Sequence, residues 1–419
     1  MNLPSKKGWV AVALLWLVAL LNYFDRLMLT SMRDPIKEAI PMSDAQFGLL
    51  SAVFLWIYAA ASPLGGHLAD RFGKRRLILA SLALWSAVTC WTGYTRTFGE
   101  LLAARACMGL SEACYIPAAL ALLSDHHRGR TRSLATGIHM SGIYTGAALG
   151  GLGGWAADHW GWRAGFIGFG GFGLMYALVL FRWLEDAPDA PADSGAHTGI
   201  AAAPAEPAAP LSVLFENQGF RILLVVNLFW GISSWVTSAW LPTFLREHFH
   251  LSLTQAGFSA SAPVQAAAFA GVLLGGFLTD RWRSSEPRAR TLLPALLFFL
   301  AAPALFFAVS TENLPWAIAG LALLGLSRGG FDANHMPIVR ELLPERQSAT
   351  AYGFLNFCSC SAGGLMIYVG GLMKDAAIDL GLIFEAVAAG LLVLALLLLR
   401  VLPARRPDPE PVVSLPDSL

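Results

Sequence analysis

About twelve runs of roughly twenty apolar residues follow one another along this chain, and few folds can accommodate them. A run of that length covers the roughly 30 Å of a bilayer's hydrocarbon at about 1.5 Å per residue. The runs lie near residues 9–31, 46–69, 76–95, 99–124, 133–157, 163–183, 219–245, 254–279, 291–310, 314–340, 347–372 and 378–402. With 56% hydrophobic and only 14% charged residues, the 419-residue chain has too little polar side chain to cover a water-soluble globule. An all-α membrane protein is expected.

The basic residues orient it. With both termini on the cytoplasmic side, twenty Lys and Arg fall inside, six outside and three within helices, out of 29. Short loops biased this way keep their positive side in the cytoplasm, so a multi-pass protein of the cell's inner membrane is expected. A net charge of +1 with basic residues confined to short loops forms no continuous basic surface, which argues against nucleic acid as a partner. All five cysteines fall inside predicted helices, and Cys358-x-Cys360 lacks the spacing of a zinc site or redox pair. Lys6-Lys7 before an apolar run mimics a signal peptide, but no A-x-A site follows and Asn22, Asp25 and Arg26 interrupt the run; it reads as a retained first helix.

Between Glu185 and Pro210 the composition changes to Ala, Pro, Asp, Ser and Gly, which reads as a flexible linker. The expected division is a six-helix bundle over 1–184, a cytoplasmic linker over 185–212, a second six-helix bundle over 213–403 and a cytoplasmic tail over 404–419. The halves echo each other. "GHLADRFGKRR" at Gly66 returns as "GFLTDRWR" at Gly276, "RACMGLSEA" as "LALLGLSRG" at an offset of 216, and "SLATG" at Ser133 as "SATAYG" at Ser348. Three matches in one order predict a duplicated unit with a central cavity between two pseudo-symmetric bundles. Gly142, Gly146, Gly150 and Gly154, every fourth residue of the fifth helix, give a small-residue face for close packing rather than a phosphate loop.

These features resemble the major facilitator superfamily. "GHLADRFGKRR" fits its loop 2–3 signature through Gly66, Asp70, Arg71, Gly73, Arg75 and Arg76. The resemblance implies a conformational latch there, in which the Asp pairs with basic groups and caps a helix end; the second copy lacks the later Gly. "LNYFDR" at Leu21 and "WLPTFL" at Trp240 resemble the anion:cation symporter branch. "GLSEACYIP" and "DHHRGRTRSLATGI" resemble that branch and the spinster-like carriers of lysolipids and sphingolipids equally.

Ionised residues at membrane depth are costly unless paired or hydrated, so each is a functional candidate. They are Asp25 and Arg26 in the first helix, Arg105 and Glu112 in the fourth, and Arg328 and Asp332 in the tenth. Seven residues turn a helix by about 700°, so Arg105 and Glu112 share one wall about 10 Å apart. Arg328 and Asp332, four apart, are placed to pair. Glu112 and Arg328 occupy matching positions in the repeats, making the pseudo-symmetric site acidic on one side and basic on the other.

The expected roles follow. Arg26 and Arg105 hold a substrate carboxylate by bidentate guanidinium geometry, while Asp25 and Glu112 carry protons. The symporter branch assigns these roles to an Asp-Arg pair and to an Arg and a Glu seven apart in helix four. Tyr23, Tyr115, His139, Arg328 and Asn356 are further substrate-binding candidates, with Asn334 and His335 at similar depth. The plainer alternative makes Asp25–Arg26 and Arg105–Glu112 static ion pairs that hold helices one and four together. Trp230, Trp235 and Trp240, five apart, do not keep to one face, and some are expected to anchor at the interface.

The expectation is therefore a secondary active transporter that moves a small organic anion, a sugar acid or other carboxylate, with protons by alternating access. The alternatives are a spinster-like lipid carrier and, from another class, a membrane sensor without transport. No metal cluster, nucleophile elbow or carboxylate pair marks an enzyme, and no cofactor or metal is implied. Function as a monomer is implied by the resemblance.

Overall fold

The computed structural model describes residues 6–127, 131–187, 211–343 and 345–401, so most of the expected linker and the whole of the expected tail lie outside the described residues. Among the described residues there are sixteen helices and no strand. The first half contains α1 (Lys6–Ser31), α2 (Arg33–Ala39), α3 (Asp44–Phe72), α4 (Lys74–Tyr94), α5 (Phe98–Glu112), α6 (Tyr115–His126), α7 (Arg132–Ala148), α8 (Gly151–Trp160) and α9 (Trp162–Trp183). The second contains α10 (Leu211–Glu216), α11 (Gln218–Phe249), α12 (Leu253–Trp282), α13 (Ala289–Ser310), α14 (Leu314–Leu342), α15 (Glu345–Asp375) and α16 (Gly381–Arg400).

Eleven helical stretches among these residues are long and apolar enough to cross a membrane. The fifth expected span differs because it is broken. Around its break the backbone tightens to three-residue hydrogen bonds, Gly150 N to Ala147 O at 3.2 Å and Gly153 N to Gly150 O at 3.1 Å. Neither α7 nor α8 alone is long enough, and the two in series supply the twelfth crossing. The fourth span also breaks, between α5 and α6. Pro117, which has no N–H to donate, leaves the Ala113 carbonyl without its helical donor and ends α5 directly after Glu112.

The duplication is visible in the packing. A Cβ on Gly109 would stand 2.6 Å from the Phe54 carbonyl of α3, and one on Gly325 2.2 Å from the Val264 carbonyl of α12. The echoed Gly-Leu-Ser motifs are thus the close-approach points of equivalent helix pairs. The small-residue face of α7 packs on α1, with Gly142 against Trp16 and Gly146 against Leu20. Gly154 does not continue it. The break turns this residue toward Leu253 of α12, and Gly153 takes over against Met28.

At the end remote from Lys6 the halves are joined by matched devices. Ser43 and Ser252 each cap their helix and close a capping box with Gln46 and Gln255. Each helix start also receives a carboxylate from the opposite half. Asp375 accepts from the backbone N–H groups of Asp44 at 2.6 Å and Ala45 at 2.9 Å. Asp158 accepts from Thr254 N at 3.0 Å and Thr254 Oγ1 at 2.7 Å. Ion pairs Arg246–Asp34 and Arg33–Glu247 span the same seam. Toward the middle the halves meet through Trp56 Nε1 on the Ser361 carbonyl at 3.2 Å and Ser261 Oγ on the Ala148 carbonyl at 2.9 Å.

The loop 2–3 signature forms a sharp corner between α3 and α4, where Gly73 adopts φ +89° in the region that glycine favours. Arg75 reaches the end of α9, donating to the Leu184 and Phe181 carbonyls, and Lys74 pairs with Asp125. Arg71 is exposed, while Gly66 and the side chain of Asp70 lie outside what is described. In the second copy, Glu341 at the end of α14 bridges Arg283 at 2.9 Å and Arg290 at 2.8 Å.

Candidate functional site

Helix α1 carries Tyr23, Asp25 and Arg26 on one turn, and successive residues point about 100° apart. Arg26 therefore faces α3 and α5 while Asp25 faces α4, and the adjacent charges do not pair. Arg26 Nε instead donates to Glu112 Oε2 at 2.7 Å, with side chains only 3% and 0% exposed. This corrects both static pairs considered above: the ion pair formed is Arg26–Glu112, between α1 and α5. Arg105 shares the Glu112 wall without an ion pair among the described residues. Its Nη1 lies 2.9 Å from Met108 Sδ, a poor acceptor for a guanidinium. Asp25 has the Thr89 hydroxyl 3.3 Å from Oδ2, a hydroxyl that also stands 3.0 Å from the Trp85 carbonyl.

Aromatic rings enclose the cations. The Arg26 guanidinium lies 4.3 Å from the Tyr58 ring centroid, 4.7 Å from Tyr23 and 5.1 Å from Phe54, and Arg105 lies 4.7 Å from Phe54. Such faces stabilise a cation without hydrogen-bonding it, so donors stay available. Arg26 Nη2, Arg105 Nε and Glu112 Oε1 are buried with no partner among the described residues. Unmet hydrogen-bonding groups are expensive in a dry interior, so this cluster makes a candidate binding place.

A hollow opens beside this cluster. Arg26 and Arg105 line its wall with Thr30, Ser51, Trp235 and Ser238. A small neighbouring crevice shares Leu27, Thr30 and Ser238 with it and is walled further on by Thr237, Gln265 and Arg328. Arg26 and Arg105 thus line the first hollow and Arg328 of the tenth span the neighbouring one. Arg328 and Asp332 do not form the expected pair. Asp332 Oδ2 accepts from Tyr144 across the halves at 3.2 Å, while Arg328 has no ion pair or hydrogen bond among the described residues.

Other candidates lie elsewhere. Tyr115 donates to the Leu15 carbonyl at 2.8 Å and packs edge-on to Trp85 and His139, in a hydrophobic cluster of the first half. Neither Tyr115 nor His139 lines the hollow. Asn356 is half-buried on α15 beside Cys360. Asn334 bonds the Gly330 carbonyl of its own helix, and His335 stacks on Phe331. The three tryptophans face inward, against the expected interfacial anchoring. Trp240 bonds the Ile367 carbonyl at 3.0 Å, Trp235 packs on Gly363 and Trp230 on Phe331, because α11 is flanked by α14 and α15. Phe54, Tyr58, Ser238 and Gln265 were not singled out by sequence, since an aromatic or hydroxyl residue in a span carries no sign of which face it occupies.

Residues 15–367 and 266–418 match the Major Facilitator Superfamily. The chain belongs to that superfamily. It is a membrane transporter, and its family is one of transporters rather than enzymes. Among its relatives is an MFS-type efflux pump of Mycolicibacterium smegmatis, 26% identical over 89% of this chain and 86% of that protein. Another is a D-galactonate transporter of Escherichia coli, 27% identical over 86% of this chain and 87% of its own. A solved bacterial homologue of the human lysosomal transporter spinster superposes with a TM-score of 0.80 at 22% identity, covering 95% of this chain and 97% of that one. That likeness establishes the fold of two six-helix bundles.

Proposed function

We propose that this superfamily member is a proton-coupled symporter of a small organic anion, a sugar acid or other carboxylate, working by alternating access as a monomer in the cell's inner membrane. The observation that carries the reading is the Arg26–Glu112 pair, with Arg26 Nη2 and Glu112 Oε1 unbonded among the described residues, beside an Arg105 that forms no ion pair among them. A substrate carboxylate competes with Glu112 for Arg26, and a proton on Glu112 releases the guanidinium to it. Asp25, behind Arg26 and without a cation of its own, is the second proton carrier. Thr30, Ser51 and Ser238 stand beside the arginines of the hollow and are able to meet the hydroxyls of a polyhydroxylated acid. The D-galactonate relative supports the same class.

The excess of Lys and Arg on the side of the termini supports a cytoplasmic position for both, with the stitched end outermost. Reconstituted protein tests the reading. Uptake of labelled galactonate into proteoliposomes should rise with an inward proton gradient and collapse with a protonophore. Arg26→Gln should abolish it. Glu112→Gln should retain substrate exchange at equal pH while losing gradient-driven accumulation. Uptake indifferent to the gradient would remove proton coupling, and uptake indifferent to Arg26 would remove the site.

A further inference from the structure

We propose that Asp332 is a positioning residue that changes partner as the halves move: with the halves joined it holds Tyr144 of the first, and with them parted it pairs with Arg328 of its own helix. The inference rests on the alternating access proposed above and is independent of which anion is carried.

The two partners belong to different bodies. On α14, Gly325 abuts the Val264 carbonyl and Gly329 the Ala268 carbonyl, both of α12. Backbones packed this closely cannot slide or turn on one another without a clash, so α12 and α14 move together. Arg328 and Asp332, four residues apart on α14, therefore stay neighbours whatever the halves do. Tyr144 lies two residues from both Gly142 and Gly146, which seat α7 on α1, and two residues turn a helix by about 200°. Its side chain thus leaves the far side of α7 and crosses to the second half, where the hydroxyl donates to Asp332 Oδ2 at 3.2 Å. The bonds that Trp56 and Ser261 make across the halves at similar depth end on backbone carbonyls, whereas this one ends on an acid that has another partner within reach.

An arginine and an aspartate one turn apart are placed to pair, yet Asp332 is committed to Tyr144 and Arg328 Nε is buried and unbonded. Drawn away from Tyr144, the half-buried carboxylate would lose a hydrogen bond at membrane depth, where such losses are costly, and the guanidinium one turn back can replace it. In this structure the two arrangements exclude each other. Their difference in strength biases the balance between joined and parted halves.

The test reads access to the crevice beneath the stitched seam. Thr243, which lines it, is changed to cysteine and labelled without substrate by a membrane-impermeant thiol reagent on whole cells, each variant being corrected by the same protein retaining Thr243. The stitched state holds the Tyr144 bond, so Tyr144→Phe should raise labelling. Arg328→Gln removes the competing partner and should lower it, most visibly by reversing the rise in the Tyr144→Phe protein. At 3.2 Å the bond is long for a hydroxyl on a carboxylate, so each change should be about three- to tenfold. In an Asp332→Ala background neither substitution should have a further effect, and should that background fail to fold, the opposite signs decide alone. Effects of one sign, or effects that persist without Asp332, overturn the switch. Arg246→Ala, which breaks an ion pair of the seam, is the control. If it raises labelling while Tyr144→Phe and Arg328→Gln change nothing, the switch falls and alternating access stands. If Arg246→Ala also changes nothing, the opening is refuted, and the proposed alternating access with it.

Discussion

The two halves of this transporter repeat one helix plan yet treat charge in opposite ways. Gly109 and Gly325 mark the same packing point, and three residues after each comes a charged group, Glu112 in one half and Arg328 in the other. Glu112 is fully buried and locked to Arg26 by a 2.7 Å bond, under a cover of aromatic rings. Arg328 is only partly buried, bonds nothing among the described residues and borders the neighbouring crevice. Duplication thus preserved the glycine contacts, which backbone sterics dictate, while the polar positions diverged into a paired wall and an open one.

Removing Glu112 breaks the comparison most severely. Glu112→Ala leaves the Arg26 guanidinium buried without a counter-ion, which costs about 3–5 kcal/mol in comparable buried pairs. We expect a large drop in melting temperature in detergent, or failure to accumulate in the membrane. Arg328→Ala, at the matching position, should cost under about 1 kcal/mol, because no partner is stranded. Equal losses at both positions would show that Arg328 is a structural cation rather than an open one.

A smaller effect is expected at the seam remote from Lys6, the outer one in the proposed orientation, where the halves are treated alike. Asp375 caps α3 and Asp158 caps α12, each from across the interface. An anion at a helix start contributes about 0.3–1 kcal/mol. Asp158→Asn and Asp375→Asn should each weaken outer closure by that order, and the double variant by their sum. The readout is labelling, from outside, of a cysteine introduced at Thr243, a buried residue lining the crevice beneath the seam. Labelling should rise several-fold in the double variant. Asymmetry between the single variants would show that one half leads the opening.

The span count, the duplication and the corner at Gly73 were legible in the sequence because each follows from local rules: apolar length, motif echoes and backbone sterics. The charged wall was legible too, since only a few residues carry charge at membrane depth. Pairing was not. Seven-residue spacing put Arg105 and Glu112 on one wall, but which arginine would meet Glu112 depends on how α1 is rotated against α5, and rotation is set by glycine contacts such as Gly146 on Leu20. Tyr115 and His139 looked like site residues because polar groups in spans usually are; here packing between α1, α4, α6 and α7 absorbs them. The kink after Glu112 was available in Pro117, whose missing N–H frees a carbonyl four residues earlier.

The smallest effect is expected where the first half closes on itself at the end that carries Lys6. Lys7 at the start of α1 pairs at 2.6 Å with Glu185, just beyond α9. The side chains are 65% and 57% exposed, so water and salt screen them. The Lys7 ammonium, bonded to the carboxylate and attracting it, holds the Glu185 carboxyl below the usual glutamate range. A depressed carboxyl contributes stability above its unfolded pKa and loses it as pH falls through the folded one. Glu185→Gln should therefore lower the melting temperature slightly at neutral pH and low salt. The difference should vanish below about pH 4, where the glutamate of the wild type is itself protonated, and shrink at high salt at any pH. A difference that survives both acid and salt would mean that Glu185 acts through packing against the end of α9 rather than through its charge.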